Sequence, residues 1–472
     1  MRGDLAEGFR VFTDRSTASC LPAHRPPPGI SIPAEAVIVY TDGSCMHNGY
    51  ADARAGSGIW YGPNDPRNRA LRVPGEQQTN NTAEIFAVHQ AVAATPPFAP
   101  LEIRTDSRYV CDGLTTNLKP WEDRGWIDVQ NSALFRATVY QLRRRSAPTR
   151  ILWVKGHSDD AGNDGADALA AEGAALPDTP PPDLTIPDAW NLSGAKLSAL
   201  TQASAHAGIA ARKNKPARRR TAVALEHTRL CVRDHLTGHT PTDSAIWTAL
   251  RSRDFQRNVA DFLWRCQHDA QKVGSYWTHI PEFEQRAICS VCKVEETLEH
   301  ILVDCDAPGR RQVWEAATTL WSRKFAHWPP LRLGTILGCG LATFTSPTGT
   351  ALPGTARLYR ILLSESAHLI WKLRCHRRIE LDDDATRFPS PREIRHRWRA
   401  AMNARLQIDL ELSRPKYGGR ALKKHLLLRT WSGLLHDEPS LPEDWSSYSP
   451  GLVSIASAEP HTARHLPGGG RA

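Results

Sequence analysis

The sequence has no apolar run approaching the roughly 20 residues that a membrane-spanning helix requires. Its first residues, "MRGDLAEGFRVFTDRS", hold no apolar core of the length a secretion signal needs. These absences predict an intracellular protein, nuclear or cytoplasmic and not secreted, with no membrane partner. In a reducing compartment its ten cysteines read as core thiols or metal ligands, not disulfides. No internal repeat is present, so a solenoid or propeller is excluded. What remains is ordinary for a soluble globular chain: 472 residues, 41% hydrophobic and 23% charged, enough for roughly two to four domains. The net charge of +9 favours an anionic partner, nucleic acid being the commonest, although many basic proteins bind nothing acidic.

Residues 1–35 read as an irregular N-terminal extension. From 36 to 175, strand-like and helix-like segments alternate: "VIVYTD", "GSGIWYG", "ALRVPG", "TAEIFAVHQAVAA", "LEIRTDS", "SALFRATVYQLRRR", "RILWVKGH" and "GNDGADALAAEGA". This pattern predicts a mixed α/β domain with a helix-covered sheet. Residues 176–220 form a Pro-rich and basic linker, from "LPDTPPPDLTIP" to "ARKNKPARRR". The basic part, Arg212 to Arg220, is either a solvated linker or a nucleic-acid contact or nuclear-import signal. Residues 221–436 show apolar residues at helical spacing, with Trp247, Trp264, Trp314 and Trp371 expected in the core. Residues 437–472 are expected to be a disordered tail.

Four acids of the α/β segment stand where a carboxylate is hard to explain. Asp42 ends "VIVYTD" and Asp106 follows "LEIRT". Glu84 lies on the apolar face of "TAEIFAVHQAVAA", and Asp167 belongs to "GNDGADALAAEGA". An acid at one strand end can be only a solvated turn residue. Clustered buried carboxylates are costly unless a cation neutralises them, and oxygen ligands select a hard metal such as Mg²⁺ or Mn²⁺. Two such ions roughly 4 Å apart can activate water and stabilise a leaving oxygen in phosphodiester cleavage.

The segments "YTDGSCMHNG", "GEQQTNNTAEI", "IRTDSRYVCDGL", "WEDRGW" and "WVKGHSDDAGNDGADALA" closely resemble the type 1 ribonuclease H family, in the family's order. The resemblance implies an α/β (α+β) ribonuclease H-like fold, a five-stranded mixed sheet flanked by helices, and cleavage of RNA within RNA–DNA hybrids. It makes Asp42, Glu84, Asp106 and Asp167 the acids that hold two Mg²⁺ or Mn²⁺ ions, with Asp42 bridging both. Glu84 would help hold one ion while orienting the hybrid's 2′-hydroxyl. His157 matches the family's mobile histidine, tied to proton movement or product release, whereas Asp159, Asp160 and Asp164 read as loop or helix-surface charges.

Cys45, His47, Asn48, Asn80 and Asn81 match positions near the acids that address the RNA strand, and Asn163 matches the "GN" pair leading into the last helix. Thr79 and Asn131 resemble the family's DNA-phosphate pocket, and Tyr109 and Trp121 its aromatic positions along the DNA strand. Each also has a plain reading as a turn or sheet-surface residue. Two departures stand out: Gln77 where members often carry arginine, and Asn117 where some carry a tryptophan. The hybrid-binding module found at the N-terminus of many eukaryotic members is not recognisable in residues 1–35.

A second constellation, "CSVCKVEETLEHILVDC", places Cys289, Cys292, His300 and Cys305 as C-x2-C-x7-H-x4-C. Three thiolates and an imidazole make a closed tetrahedral site for one structural zinc ion. The alternative is buried free cysteines with a chance histidine. With "FLWRCQHDAQKVGSYW" before it and "HLIWKLRCHRRI" after it, this segment resembles the zinc-binding region downstream of non-LTR retrotransposon reverse transcriptases. Ribonuclease H followed by this region is typical of such elements, especially in fungi. No YxDD polymerase signature or apurinic-endonuclease-like segment accompanies it. The chain therefore reads as a retrotransposon-derived, metal-dependent hybrid ribonuclease whose C-terminal region and basic linker are candidates for further nucleic-acid contact. The alternative is an inactive nucleic-acid-binding remnant of a retroelement. A DNA-cutting integrase-like relative fits the "TNNTAE" helix entry less well.

Overall fold

The computed structural model describes residues 5–13, 29–156, 160–213, 218–448 and 451. The chain forms two compact units, Met1–Pro216 and Ala217–Ala472. Among the described residues no helix is long and apolar enough to cross a membrane.

The first unit is built on five strands: β1 Val37–Met46, β2 Arg54–Trp60, β3 Arg69–Arg72, β4 Leu101–Thr105 and β5 Thr149–Trp153. Their order is β3-β2-β1-β4-β5, with β1, β2 and β3 antiparallel in sequence and β1, β4 and β5 parallel. It is the five-stranded mixed sheet that the sequence implied. In β4 the period-2 alternation buries Leu101, Ile103 and Thr105. The edge strand β5 leaves Leu152 and Trp153 exposed instead.

Helices α1 Asn80–Ala94, α2 Arg108–Leu114, α3 Leu118–Asp123, α4 Ser132–Arg143 and α5 Ala161–Ala175 flank the sheet. Thr79 caps α1 by accepting the Thr82 amide at 3.1 Å. Helix α1 packs on β1, β2 and α4, so it buries Ile85, Val88 and Val92 and neighbours on more than one face. Helix α5 lies on β2 through small residues, Ala166, Ala170, Gly173 and Ala174. That approach needs glycine on the strand, because a Cβ on Gly58 would meet the Ala166 carbonyl and one on Gly56 the Ala174 amide.

Two segments expected to be irregular carry structure. Arg10–Val11 pairs antiparallel with Ala195–Lys196, and Arg10 donates to the Gly194 carbonyl at 2.6 Å. Within the stretch read as a linker, α6 Gln202–Arg212 starts with a reciprocal Thr201–Ser204 cap. Two-residue strands are too short to leave a hydrophobic period, and their partners are distant in sequence.

The second unit is mainly helical: α7 Arg219–Val232, α8 Asp243–Ala249, α9 Arg257–Gln267, α10 Arg310–Trp321, α11 Leu333–Leu337, α12 Pro353–Cys375, α13 Pro391–Leu412 and α14 Lys424–Trp431. Helix α12 is central, packed on α9, α10, α13 and α14. Trp321, Tyr359, Trp398 and Trp431 fill the core beside it. A buried charge pair crosses this core, Arg357 gripping Asp409 through two bonds of 2.6 and 2.8 Å. Trp431 also donates to Asp409 and Arg405 adds an ion pair, so the carboxylate is satisfied by hydrogen bonds and charge. Two expectations are corrected here. Trp264 is 45% exposed, because it projects from the outer side of α9. Residues 437–448, expected within a disordered tail, are ordered, since Trp445 is buried and donates to Ser432 at 3.1 Å; the rest of that expectation, at 449–450 and 452–472, lies outside the described residues.

Overpacking between β2 and α5 gives a direct test. Gly58→Ala should destabilise the first unit by about 1–3 kcal/mol in urea unfolding. Gly62→Ala, with nothing within 4 Å of its added carbon, should change stability by less than about 0.5 kcal/mol.

Candidate active site and candidate zinc centre

The middle of β1, the end of β4 and the start of α1 meet in the first unit. Thr41 of β1 and Thr105 of β4 are side by side in the parallel ladder. The next residues, Asp42 and Asp106, therefore lie at the same level, Asp106 just past the end of β4 and Asp42 inside β1, which runs on to Met46 paired with β2 and does not stop at the acid as the sequence suggested. Gly43 lets α1 come in against them, since a Cβ there would strike the Glu84 amide and Ala83. Carboxylate oxygens of Asp42, Glu84 and Asp106 all lie within 4.8 Å of one another. The Asp106 turn is held by Trp153, whose indole donates to the Asp106 carbonyl at 2.9 Å under the Arg108 guanidinium. Gly156 leaves space beside the Asp106 carboxylate.

Burial, and then the charges of Asp42 and Asp106, push the Glu84 pKa well above its ordinary 4.5. Glu84 Oε2 is buried with no hydrogen-bond partner. An all-oxygen donor set with an orphaned buried oxygen fits a hard divalent cation. Asp167 on α5 is outside this close group, but its charge also raises the Glu84 pKa. His157, with Ser158 and Asp159, lies outside the described residues. Asp160 caps α5 by accepting the Gly162 amide at 2.9 Å, and Asp164 is exposed.

The residues expected along the RNA strand divide by exposure. Asn80 and Asn81 are exposed on the first turn of α1, and Asn48 is exposed in the turn after β1. His47, at φ +51°, bonds Asp52 at 2.7 Å in that turn. Cys45 is half-buried against the Gln78 carbonyl. Asn163 is 3% exposed and offers nothing to a surface strand.

Thr79, Asn131 and Tyr109 are joined by a residue the sequence did not single out. Thr82 shares a 2.8 Å bond with the Thr79 hydroxyl and donates to Asn131 Oδ1 at 3.1 Å. Asn131 in turn reaches the Tyr109 hydroxyl. A cleft of about 470 Å³ beside them is lined by Gln77, Thr82 and Asn131, and also by Pro181 and Leu184 from the expected linker. Gln77 thus supplies no cation to this cleft. Trp121 packs edge-on to Phe135 at 5.0 Å, in one aromatic cluster with Trp126 and Tyr109. Gln78 was also missed. Its side chain accepts the Ala55 amide and donates to the Val73 and Gly75 carbonyls, fixing the loop that enters α1. Only its place beside the "TNN" run hinted at this.

In the second unit the ligand atoms of Cys289, Cys292, His300 and Cys305 lie within 4.8 Å of one another. Cys305 Sγ is 3.8 Å from Cys289 Sγ and 3.9 Å from Cys292 Sγ. Those distances exclude a disulfide, whose sulfurs are about 2.05 Å apart. They equal the edge of a tetrahedron with metal–sulfur bonds of about 2.3 Å. Backbone amides of Cys292, Asp306 and Ala307 point at the three sulfurs. Burial opposes ionisation of Cys289, yet the Cys292 amide and His300 pull its pKa down to about 6. The buried His300 Nε2 has no hydrogen-bond partner. The donor set fits zinc.

Residues 34–175 match the family model described as RNase H. Ribonuclease H1 of Mus musculus is 39% identical over 145 residues, covering 30% of this chain and 50% of the relative. Ribonuclease H of Schizosaccharomyces pombe is 39% identical over 143 residues, 29% of this chain and 53% of the relative. The chain thus spans about half the length of these curated relatives. Ribonuclease H of Pseudomonas paraeruginosa is 37% identical over 149 residues, 30% of this chain and 95% of the relative.

The raised Glu84 pKa has a measurable sign. Without metal, the folded unit holds a proton on Glu84 that the unfolded chain releases near 4.5, so stability falls as pH rises from there through the folded pKa. In EDTA, Glu84→Gln should raise Tm more at neutral pH than near pH 4.5, by roughly 2–4 °C per kcal/mol relieved. Equal differences at the two pH values would count against a strained acid. For the second site, metal analysis should find about one zinc per chain, lost in Cys289→Ser/Cys292→Ser. Unchanged zinc content in that variant would refute the ligand set.

Proposed function

The chain belongs to the RNase H family, and on that premise we propose that its first unit cuts the RNA strand of RNA–DNA hybrids with Mg²⁺ or Mn²⁺ as cofactor. The observation that carries the reading is the convergence of Asp42, Glu84 and Asp106 within 4.8 Å, beside the middle of the central strand. Asp167 completes the set from α5. When bound, two hard divalent cations at this site would activate water and stabilise the leaving oxygen.

The chain's own groups do the rest. Asp42, within 4.8 Å of both Glu84 and Asp106, would be the acid shared by the ions. Glu84 would be held ionised by a bound cation and would orient the 2′-hydroxyl of the RNA. The exposed Asn48, Asn80 and Asn81, with His47 and Cys45, address that strand through its 2′-hydroxyls and backbone. Thr79, Asn131, Tyr109 and Trp121 form the face for the DNA strand. His157 is assigned to proton transfer or product release. Cleavage leaves a 5′-phosphate and a 3′-hydroxyl.

Cys289, Cys292, His300 and Cys305 hold one structural zinc. The zinc segment after a ribonuclease H domain supports a retrotransposon-derived origin. The basic stretch from Arg212 to Arg220 and the second unit form a further nucleic-acid-binding region, in keeping with the net charge of +9.

The test compares labelled RNA–DNA hybrid, double-stranded RNA and duplex DNA, with Mg²⁺ or EDTA. Metal-dependent cutting confined to the hybrid's RNA is expected. Asp42→Asn should reduce it beyond the roughly 10–100-fold typical of residues that only support metal ligands. Hybrid binding without cleavage under all conditions would replace this reading with a non-cutting binder.

A further inference from the structure

We propose that the second unit binds single-stranded nucleic acid in one cleft, with an unpaired base stacked on Trp277 and the adjacent phosphates held by Lys272 and Arg286. This deepens the reading that the second unit contacts nucleic acid, and it rests on that reading alone, not on hybrid cleavage. The cleft measures about 540 Å³ and lies between the end of α9, the 270–286 segment and the end of α12. That volume is within the range of sites for nucleotide-sized ligands, roughly 300–1,000 Å³.

The cations around it have two different occupations. Arg374 and Arg378 are engaged internally: both pair with Glu296, whose carboxylate is fully buried, and Arg377 joins them. Arg378 also donates to the carbonyls of Arg286 and Ile288, next to Cys289. These bonds fasten the zinc segment to the end of α12 and fix one wall of the cleft. Lys272 and Arg286, by contrast, are exposed and have no carboxylate within ion-pair distance among the described residues. Both lean on aromatic rings: Arg286 sits 5.2 Å from the Trp277 centroid, and Lys272 5.6 Å from that of Tyr276.

Trp277 is fixed in place, because its indole donates to the Lys272 carbonyl at 2.8 Å and its ring stands edge-on to Tyr276. A fixed, partly exposed indole, with Phe283 6.1 Å from its ring and two cations outside any ion pair beside it, matches what an unstacked base and its phosphates require. Of the two carboxylates in the cleft lining, Asp383 is paired with Arg377 and Arg378, and Asp382 is exposed. A duplex offers phosphates but no free base face, so the same cleft should disfavour it. The surface leading to the cleft continues the pattern. The exposed Trp264 stands edge-on to His268 at 4.3 Å, and His268 stacks on Trp247 at 4.7 Å. Arg218, from the basic stretch, is close enough to help burial lower the His268 pKa.

The experiment uses the full chain carrying Asp42→Asn, so that RNA survives, and fluorescence anisotropy with labelled oligo(dT), oligo(U) and a duplex of equal length. Both single strands should bind more tightly than the duplex. Trp277→Ala should weaken them roughly tenfold or more, with Trp277→Phe retaining most of the affinity. Lys272→Ala/Arg286→Ala, at exposed positions that do not threaten folding, should flatten the plot of log affinity against log salt by roughly 1.4, about 0.7 for each phosphate that the chain no longer neutralises. Unchanged affinity and slope in the double variant would overturn the proposal, as would equal competition by poly-glutamate. Duplex binding that exceeds single-strand binding would remove the cleft while leaving the second unit a nucleic-acid binder. Absence of binding to every probe would remove both, without touching hybrid cleavage by the parent chain.

Discussion

The first unit depends on the close approach of Gly43 and the first turn of α1. A helix start can press its backbone onto a strand only where the strand has no side chain. That single absence of a Cβ brings Glu84 against Asp42. The parallel pairing of β1 with β4 then sets Asp106 at the same level, because Thr41 and Thr105 are in register. Three carboxylates from segments spread over more than sixty positions thus share one small volume. Burial first, and then the like charges of Asp42 and Asp106, oppose ionisation of Glu84 and raise its pKa. A site that costs stability when empty gains affinity for the cation that relieves it.

The second unit has a comparable keystone in Glu296. Its carboxylate is fully buried and meets the guanidinium groups of Arg374, Arg377 and Arg378. These partners come from the end of α12 and the turn after it, whereas Glu296 sits between Cys292 and His300. The ion cluster therefore ties the Cys/His group to the helical core, and order at one supports order at the other. The arginines near this junction are not equivalent. Those facing Glu296 are structural, and the charge left for a ligand belongs to Lys272 and Arg286.

Much of the first unit was legible in the chain. The apolar run before Asp42, the alternation in Leu101–Thr105 and the small-residue helix at 161–175 each leave a local signature, and a helix-covered sheet follows from them; its five-stranded mixed form was implied by the family resemblance. The acids were legible because a carboxylate after a core strand, or on the apolar face of a helix, conflicts with its surroundings. The zinc candidate was legible because C-x2-C-x7-H-x4-C is a spacing that chance seldom assembles. Less legible were the residues that act through others. Thr82 and Gln78 bond backbone and neighbouring side chains, and polar residues in a helix entry look alike in sequence. Trp264 reads like its buried neighbours, yet α9 turns it outward. Asn163 reads like a surface polar residue and is buried.

By itself, then, the sequence determined which residues carry unusual chemistry and which periods form strands and helices, because local pattern and residue type are properties of the chain alone. Tertiary structure decided which of these groups meet. It drew Asp42, Glu84 and Asp106 into one cluster and left Asp167 farther off. It paired Arg10–Val11 with Ala195–Lys196 across the whole first unit, and it separated the engaged arginines from the exposed cations around Trp277. Distances between remote segments depend on strand register and on where a glycine admits close approach. Neither is fixed until the whole core has packed.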